Sequence, residues 1–138
     1  MTQIDEVIGA ALKDLGIKRH PALLQADGVL FVKEMTTKIG CVVETFYSVQ
    51  ELSNGLLRVK SFLYFFSKMK DDIDILGDVN PKLENIIANI VQFKRKLKTA
   101  PLAINYPDNE LQTFRFRTTA VETGIELQIT FDINPPCN

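Results

Sequence analysis

The fold is decided by residues 39–66, which read IGCVVETFYSVQELSNGLLRVKSFLYFF. Val, Phe and Tyr occur in both halves of this stretch, which is typical of β-strands. Asn54 and Gly55 lie between the halves, and both residue types accept the positive φ of a two-residue type I′ turn. The stretch therefore predicts a long β-hairpin. Counting outward from the turn pairs Leu52 with Leu57, Glu51 with Arg58, Tyr47 with Phe62 and Phe46 with Leu63.

Large apolar residues follow one another without interruption at the end of this stretch, in residues 62–66. Neighbouring side chains of a strand point to opposite faces of the sheet, so both faces must be covered here. The rest of the chain is one candidate cover, and a neighbouring subunit is the other. We therefore assign Phe62, Tyr64 and Phe66 to a candidate interaction surface.

Two amphipathic helices flank the hairpin. Apolar residues recur at spacings of three and four in residues 3–15, and Gly16 is a stop signal. Residues 17–27 are interpreted as a connector. The second helix begins at Asn80 and Pro81, because Asn is a good N-cap and Pro suits the first helical position. Its predicted buried face contains Leu83, Ile86, Ile87, Ile90 and Leu97.

The C-terminal region predicts a second hairpin with its loop at Thr123 and Gly124. One register separates an apolar face from a polar one, since a slip by one residue would turn apolar side chains to water. It pairs Phe116 with Phe131, and we expect both rings to pack on the core. On the polar face are Arg115, opposite Asp132, and Arg117, and we add both arginines to the candidate interaction surface.

The order of these elements predicts an α+β fold. An antiparallel sheet built from two hairpins carries the N-terminal helix and the central helix on one face. With 138 residues, 46% of them hydrophobic and 24% charged, the chain has the composition of one soluble globular domain. The prediction is a single domain over residues 1–138 with a short C-terminal tail at 133–138.

Charge is balanced overall but clustered locally. Sixteen basic and seventeen acidic residues give a net charge of -1, which disfavours a general nucleic-acid binder. Lys94 and Arg95 belong to a basic cluster that a helix C-terminus favours, while Asp72 and Asp74 lie in an acidic loop. We hypothesise that these two clusters meet between neighbouring subunits, so all four residues join the candidate interaction surface.

The acidic loop resembles a calcium-binding loop only in part. Asp72 and Asp74 match the first and third positions of an EF-hand, but Leu76 and Leu83 stand where further ligands are required. We therefore predict no metal site, and cation binding by residues 71–78 stays open.

No catalytic motif is visible in the sequence. His20 is the single histidine, and there is no GxSxG, no phosphate-binding glycine loop and no HExxH. Cys41 is predicted to be a buried, inert thiol, and its pairing with Cys137 stays open. We expect no enzyme activity, cofactor or small-molecule substrate. An enzyme that acts through carboxylates alone is the third interpretation, with these candidates: Asp71, Asp72, Asp74 and Glu84.

The order of elements resembles the tail-completion and tail-terminator proteins of tailed phages. The resemblance covers residues 4–15, 42–66, 81–97 and 114–133. It implies a non-enzymatic protein that assembles as a ring, in the cytoplasm or within a virion, through contacts with itself and with other structural proteins. The alternative is a small adaptor or chaperone-like module that covers an apolar segment of a partner. No membrane span is predicted, because no apolar run approaches about 18 residues.

Overall fold

The computed structural model describes residues 3–20, 39–68, 79–99, 113–118 and 122–135. Five strands form one sheet in the order β1-β2-β3-β5-β4, where β1 runs parallel to β2 and all other neighbours are antiparallel. This arrangement confirms the predicted α+β class with helices on one side of a mostly antiparallel sheet. The elements are α1 (Gln3–Asp14), β1 (Lys18–His20), β2 (Gly40–Glu51), β3 (Leu57–Lys68), α2 (Asn80–Thr99), β4 (Thr113–Thr118) and β5 (Glu122–Ile133).

The main core lies between the two helices and one face of the sheet. Phe65 of β3 meets Phe93 of α2 edge-on, with 5.5 Å between ring centroids. On the predicted face of α2, Ile87 is exposed and Phe93 takes part in the core instead. The buried helix residues are Ile4, Val7, Ile8, Ala11 and Leu12 in α1 and Ile86, Ile90, Phe93 and Leu97 in α2.

Strand β1 corrects the prediction of a connector at residues 17–27. Lys18–His20 pairs in parallel with residues 40–42 at the start of β2. Arg19 donates to the Asp5 carboxylate of α1 at 2.8 Å, and the Thr45 hydroxyl of β2 donates to the same carboxylate oxygen. The sequence does not predict β1 for two reasons. Three residues are too few to show a periodicity, and their pairing depends on residues about twenty positions away.

The first hairpin is confirmed, but its predicted register is wrong. No residue other than glycine has a positive φ in the described part of the chain, and Gly55 has a φ of 84°. The Gly55 N–H donates to the Leu52 carbonyl at 3.0 Å, and the Leu52 N–H donates to the Leu56 carbonyl at 2.8 Å. This geometry is a three-residue loop, a type I turn closed by a left-handed glycine. Consequently Glu51 pairs with Leu57 and Gln50 with Arg58, one residue from the prediction.

The second hairpin is also displaced from its predicted register. Phe116 pairs with Ile125 instead of Phe131, a shift of six residues, and Gly124 lies inside β5. Because six is an even number, the face of β5 is preserved, and Phe131 is buried as predicted. Phe116, in contrast, is 60% exposed, so its predicted packing on the core is wrong.

Arg115 pairs with Glu126, which corrects its predicted partner Asp132. Asp132 instead accepts two hydrogen bonds from Arg58 of β3, at 2.9 and 3.0 Å.

The far face of residues 62–66 is closed within the chain. Val42, Tyr64 and Phe66 form a second buried cluster, against which Phe62 packs partly buried. The Tyr64 and Phe66 rings stack with centroids 5.5 Å apart. Two glycines make room for these rings, since a Cβ on Gly40 would lie 2.7 Å from Phe66 Cζ and one on Gly124 would lie 2.7 Å from Tyr64 Cε2. The predicted burial on both faces is therefore achieved without a second subunit.

Candidate interaction surface

Strand β2 changes its surroundings halfway along its length. Residues 40–45 are buried apart from half-buried Glu44, whereas residues 46–51 are all exposed. β1 pairs only with residues 40–42, and beyond Val42 no strand in the described residues pairs with this side of β2. Among the described strands, the second half of β2 is thus an edge of the sheet, with backbone groups that another strand could bind.

A bulge shapes this edge. Three residues of β2, 45–47, lie opposite the single residue Ser61 of β3. The Ser61 hydroxyl donates to the Thr45 carbonyl at 2.7 Å, and the buried Thr45 side chain bonds to α1. These contacts hold the start of the bulge in place. Bulges bend a strand and redirect its side chains, and here Phe46 and Tyr47 are turned towards solvent.

Large apolar side chains are exposed on this edge. Phe46 is 50% exposed, Tyr47 54% and Val49 53%. The Tyr47 ring lies 5.7 Å from the half-buried ring of Phe62, measured between centroids. We call these four residues the β2 patch. Val49 lies on the helix side of the sheet, whereas Tyr47 and Phe62 meet on its far face, so the patch occupies both sides of the strand edge. Clustered apolar groups on a protein surface mark sites of interaction with other proteins more often than isolated ones do.

The two outer edges of the sheet differ in charge. The free part of β2 contains Glu44 and Glu51 and has no Lys, Arg or Pro, the residues that usually prevent pairing at an edge. β4, the last strand at the other side, contains Arg115 and Arg117. Arg115 is exposed, as is Phe116 between the two arginines. One edge is therefore acidic and the other basic, and each has exposed apolar side chains.

The structure separates the site residues that the sequence predicts. Phe62 belongs to the β2 patch, but Tyr64 and Phe66 are buried. The Tyr64 hydroxyl donates to Glu122 at 2.8 Å, which fixes the ring against β5. Tyr64 and Phe66 thus contribute to the core of the far face and are not available to a partner.

The basic cluster lies on the outer side of α2. It is distant from the β2 patch in the sequence. Val91, Lys94, Arg95 and Lys98 line a shallow depression of about 190 Å³. Partial burial lowers the pKa of Lys94, and the neighbouring charge of Lys98 lowers it further. Asp72 and Asp74, the predicted counterparts of this cluster, lie outside the described residues, as does the whole acidic loop.

Sequence reasoning missed Phe46, Tyr47 and Val49 as surface residues. It placed Tyr47 opposite Phe62, and these two rings do meet, although Glu44 is the backbone partner of Phe62. The adjacent aromatic pair at positions 46 and 47 interrupts the alternation that a half-buried strand requires. That interruption is the signal that could have indicated a bulge.

Reactive groups in the described residues are few and enclosed. Cys41 is fully buried, and desolvation raises the pKa of its thiol, an effect that Arg19 partly opposes. No group of three or more His, Cys, Asp or Glu side chains within those residues is arranged to hold a metal ion. Neither helix, α1 nor α2, is long and apolar enough to cross a membrane.

Comparison with known proteins adds no relative to this description. No protein-family model matches the chain, and no curated protein matches it significantly.

Proposed function

We propose that this protein is a non-catalytic assembly protein that associates with further copies of itself, and that the β2 patch is its contact surface. The observation that carries the proposal is the coincidence of a free sheet edge with exposed Phe46, Tyr47 and Val49. A strand that adds to such an edge gains main-chain hydrogen bonds, while its side chains cover the apolar groups.

The burial of residues 62–66 changes the support for this proposal. The sequence alone attributed self-association to these residues, but their two faces are covered within one chain. Phe46, Tyr47 and Val49 of the β2 patch lie on the neighbouring strand and are about half exposed. The assembly hypothesis therefore now depends on β2 and no longer on Tyr64 or Phe66.

The resemblance to phage tail-completion and tail-terminator proteins remains a prediction. It suggests a closed ring that contacts other structural proteins. A ring is compatible with the two edges at which the sheet of described strands ends, because closure removes both edges.

The test is the mass of the full chain in solution, measured by light scattering over a range of micromolar concentrations. We expect an oligomer whose apolar contacts persist at about 0.5 M salt, because salt at that level screens exposed charges only. Tyr47→Ser combined with Val49→Ser should shift the mass towards the monomer.

Val91→Ser is the matched control, since Val91 is 41% exposed on α2, comparable with Val49, and lies outside the patch. An oligomer of unchanged mass in the β2 double variant would contradict the role of the patch. A monomeric wild-type protein at every concentration would contradict self-association and favour the adaptor alternative, in which the patch binds a different chain.

A further inference from the structure

We infer that the free edge of β2 pairs with strand β4 of a second copy, head to tail, so that one continuous sheet runs through the assembly. This inference rests on the proposed self-association and adds which two surfaces meet. Four observations on the two sheet edges support it.

The first observation concerns charge. Every charged residue in the free part of β2 is acidic, Glu44 and Glu51, and every charged residue in β4 is basic, Arg115 and Arg117. Pairing β2 with another β2 would bring acids together, and pairing β4 with another β4 would bring arginines together. Surfaces of opposite charge attract each other on approach, and surfaces of like charge repel each other. Complementary charge therefore favours the unlike pair.

The second observation concerns apolar side chains. Val49 pairs with Val59, and Phe116 pairs with Ile125, both buried in the helix-side core. Directly paired residues lie on the same face of a sheet, so Val49 and Phe116 lie on the helix side at opposite edges. Each is more than half exposed, 53% and 60%, because the sheet ends beside it. A β4 strand placed against β2 would continue this apolar layer from one copy to the next.

The third observation concerns direction. Each of the pairs β2·β3, β3·β5 and β5·β4 is antiparallel, so β4 runs opposite to β2 within one chain. Copies related by rotation about an axis along the strands keep these directions. β4 of one copy would then meet β2 of the next as an antiparallel neighbour, and the helices of both copies would lie on the same side.

The fourth observation concerns length. Nine residues of β2, 43–51, lie beyond the segment that β1 pairs, and β4 has six residues. β4 therefore fits the free edge without displacing β1. A contact between unlike surfaces can repeat from copy to copy, and it closes when the rotation completes a circle.

The test is site-directed disulfide formation between two proteins that each contain one added, exposed cysteine. Val49→Cys and Phe116→Cys are made separately in full chains that also contain Cys137→Ser, while the buried Cys41 is left in place. The two proteins are mixed, exchanged and mildly oxidised, and covalent dimers are measured on a non-reducing gel. We expect the mixture to give several times more dimer than either protein alone.

Val91→Cys mixed with Phe116→Cys is the control, because Val91 is exposed on α2, away from both edges. Dimers formed equally by Val49→Cys alone would show pairing of like edges and overturn the inference. An oligomeric wild type that gives no excess dimer in the mixture would also overturn it, while leaving self-association intact. A wild type that is monomeric throughout would overturn both proposals.

Discussion

The two halves of β2 contain similar residues in different surroundings. In the first half, Cys41 and Val42 lie between β1 and β3 and are buried. Val43, which follows them, is also buried. In the second half, Phe46, Tyr47 and Val49 have β3 on one side and remain half exposed. The residue types favour a strand conformation in both halves, but contacts with residues distant in sequence determine which half is buried in the core. The exposed half is therefore the part of the strand that is able to bind another chain.

Replacing the buried neighbour of the first half should give the largest effect. Phe65 pairs with Cys41, is fully buried and contacts Phe93, so Phe65→Ala should reduce the free energy of unfolding by about 3–5 kcal/mol. Phe65→Asp should cost more, because it also buries a charge. Tyr47→Ala at the exposed half should cost clearly less. Denaturant unfolding measures all three variants, and equal losses at positions 65 and 47 would contradict the distinction between the halves.

A methyl group at Gly124 should give the next largest effect. Its Cβ would lie 2.3 Å from the Phe65 carbonyl oxygen, so the backbone would have to move, at a cost of about 1–3 kcal/mol. Gly9→Ala is the control, because its new Cβ would meet nothing closer than 3.8 Å in α1. It should stabilise the protein by about 0.5–1 kcal/mol. Thermal unfolding compares the two, and a neutral Gly124→Ala would show that the rings above it are loosely packed.

Alkaline pH should reduce the free energy of unfolding through Cys41, which lies in the first half of β2. Burial raises the pKa of this thiol above its ordinary value of 9.0, so the unfolded chain ionises first as the pH rises. The contribution of the thiol is fully present below pH 9 and is lost above it, by about 1.4 kcal/mol per pH unit. Unfolding curves at pH 8 and pH 10 measure the loss. Cys41→Ala should remove this part of the pH dependence, and an identical pH dependence in the variant would refute the assignment.

The smallest effect is expected where the strand is exposed. Val49→Thr should change the free energy of unfolding by less than about 0.5 kcal/mol, as is usual for surface positions. Val43→Thr makes the same chemical change at a buried position and should cost about 1–3 kcal/mol, because it buries a hydroxyl. The difference between the two variants measures how sharply burial changes along β2. Equal costs at a protein concentration below the association range would mean that the second half is covered within one chain, which would contradict the account.

The sequence was sufficient for the two helices, the two hairpins and the buried face of β5, but not for strand β1 or for register. Asn54 and Gly55 fit both a two-residue turn and a three-residue loop, and the two differ by one position. Gly124 was interpreted as a turn residue, yet it lies within β5. Its role is to leave space for the Tyr64 ring, which no local pattern reveals. Glycine in a strand and glycine in a turn look alike until the neighbouring strand is known.

The candidate surface was predicted even less completely. The aromatic run at 62–66 indicated correctly that two faces need cover, but the chain supplies that cover itself. The exposure of Phe46, Tyr47 and Val49 depends on the bulge at 45–47 and on the short length of β1. Both features arise from contacts between distant residues, including the bonds from Thr45 to Asp5 and from Ser61 to Thr45. The adjacent aromatic pair at 46 and 47 can indicate the bulge, but the hydrophobic pattern within β2 contains no information about these contacts or about the length of β1.

The central claim is that residues 43–51 form an edge that is open in one chain and paired in the assembly. Hydrogen exchange at two protein concentrations, one below and one above the association range, tests it most directly. The account predicts that amides of residues 43–51 and of β4 become protected at the higher concentration, while those of β3 and β5 stay unchanged. Protection of residues 43–51 that is equally strong at both concentrations would contradict it.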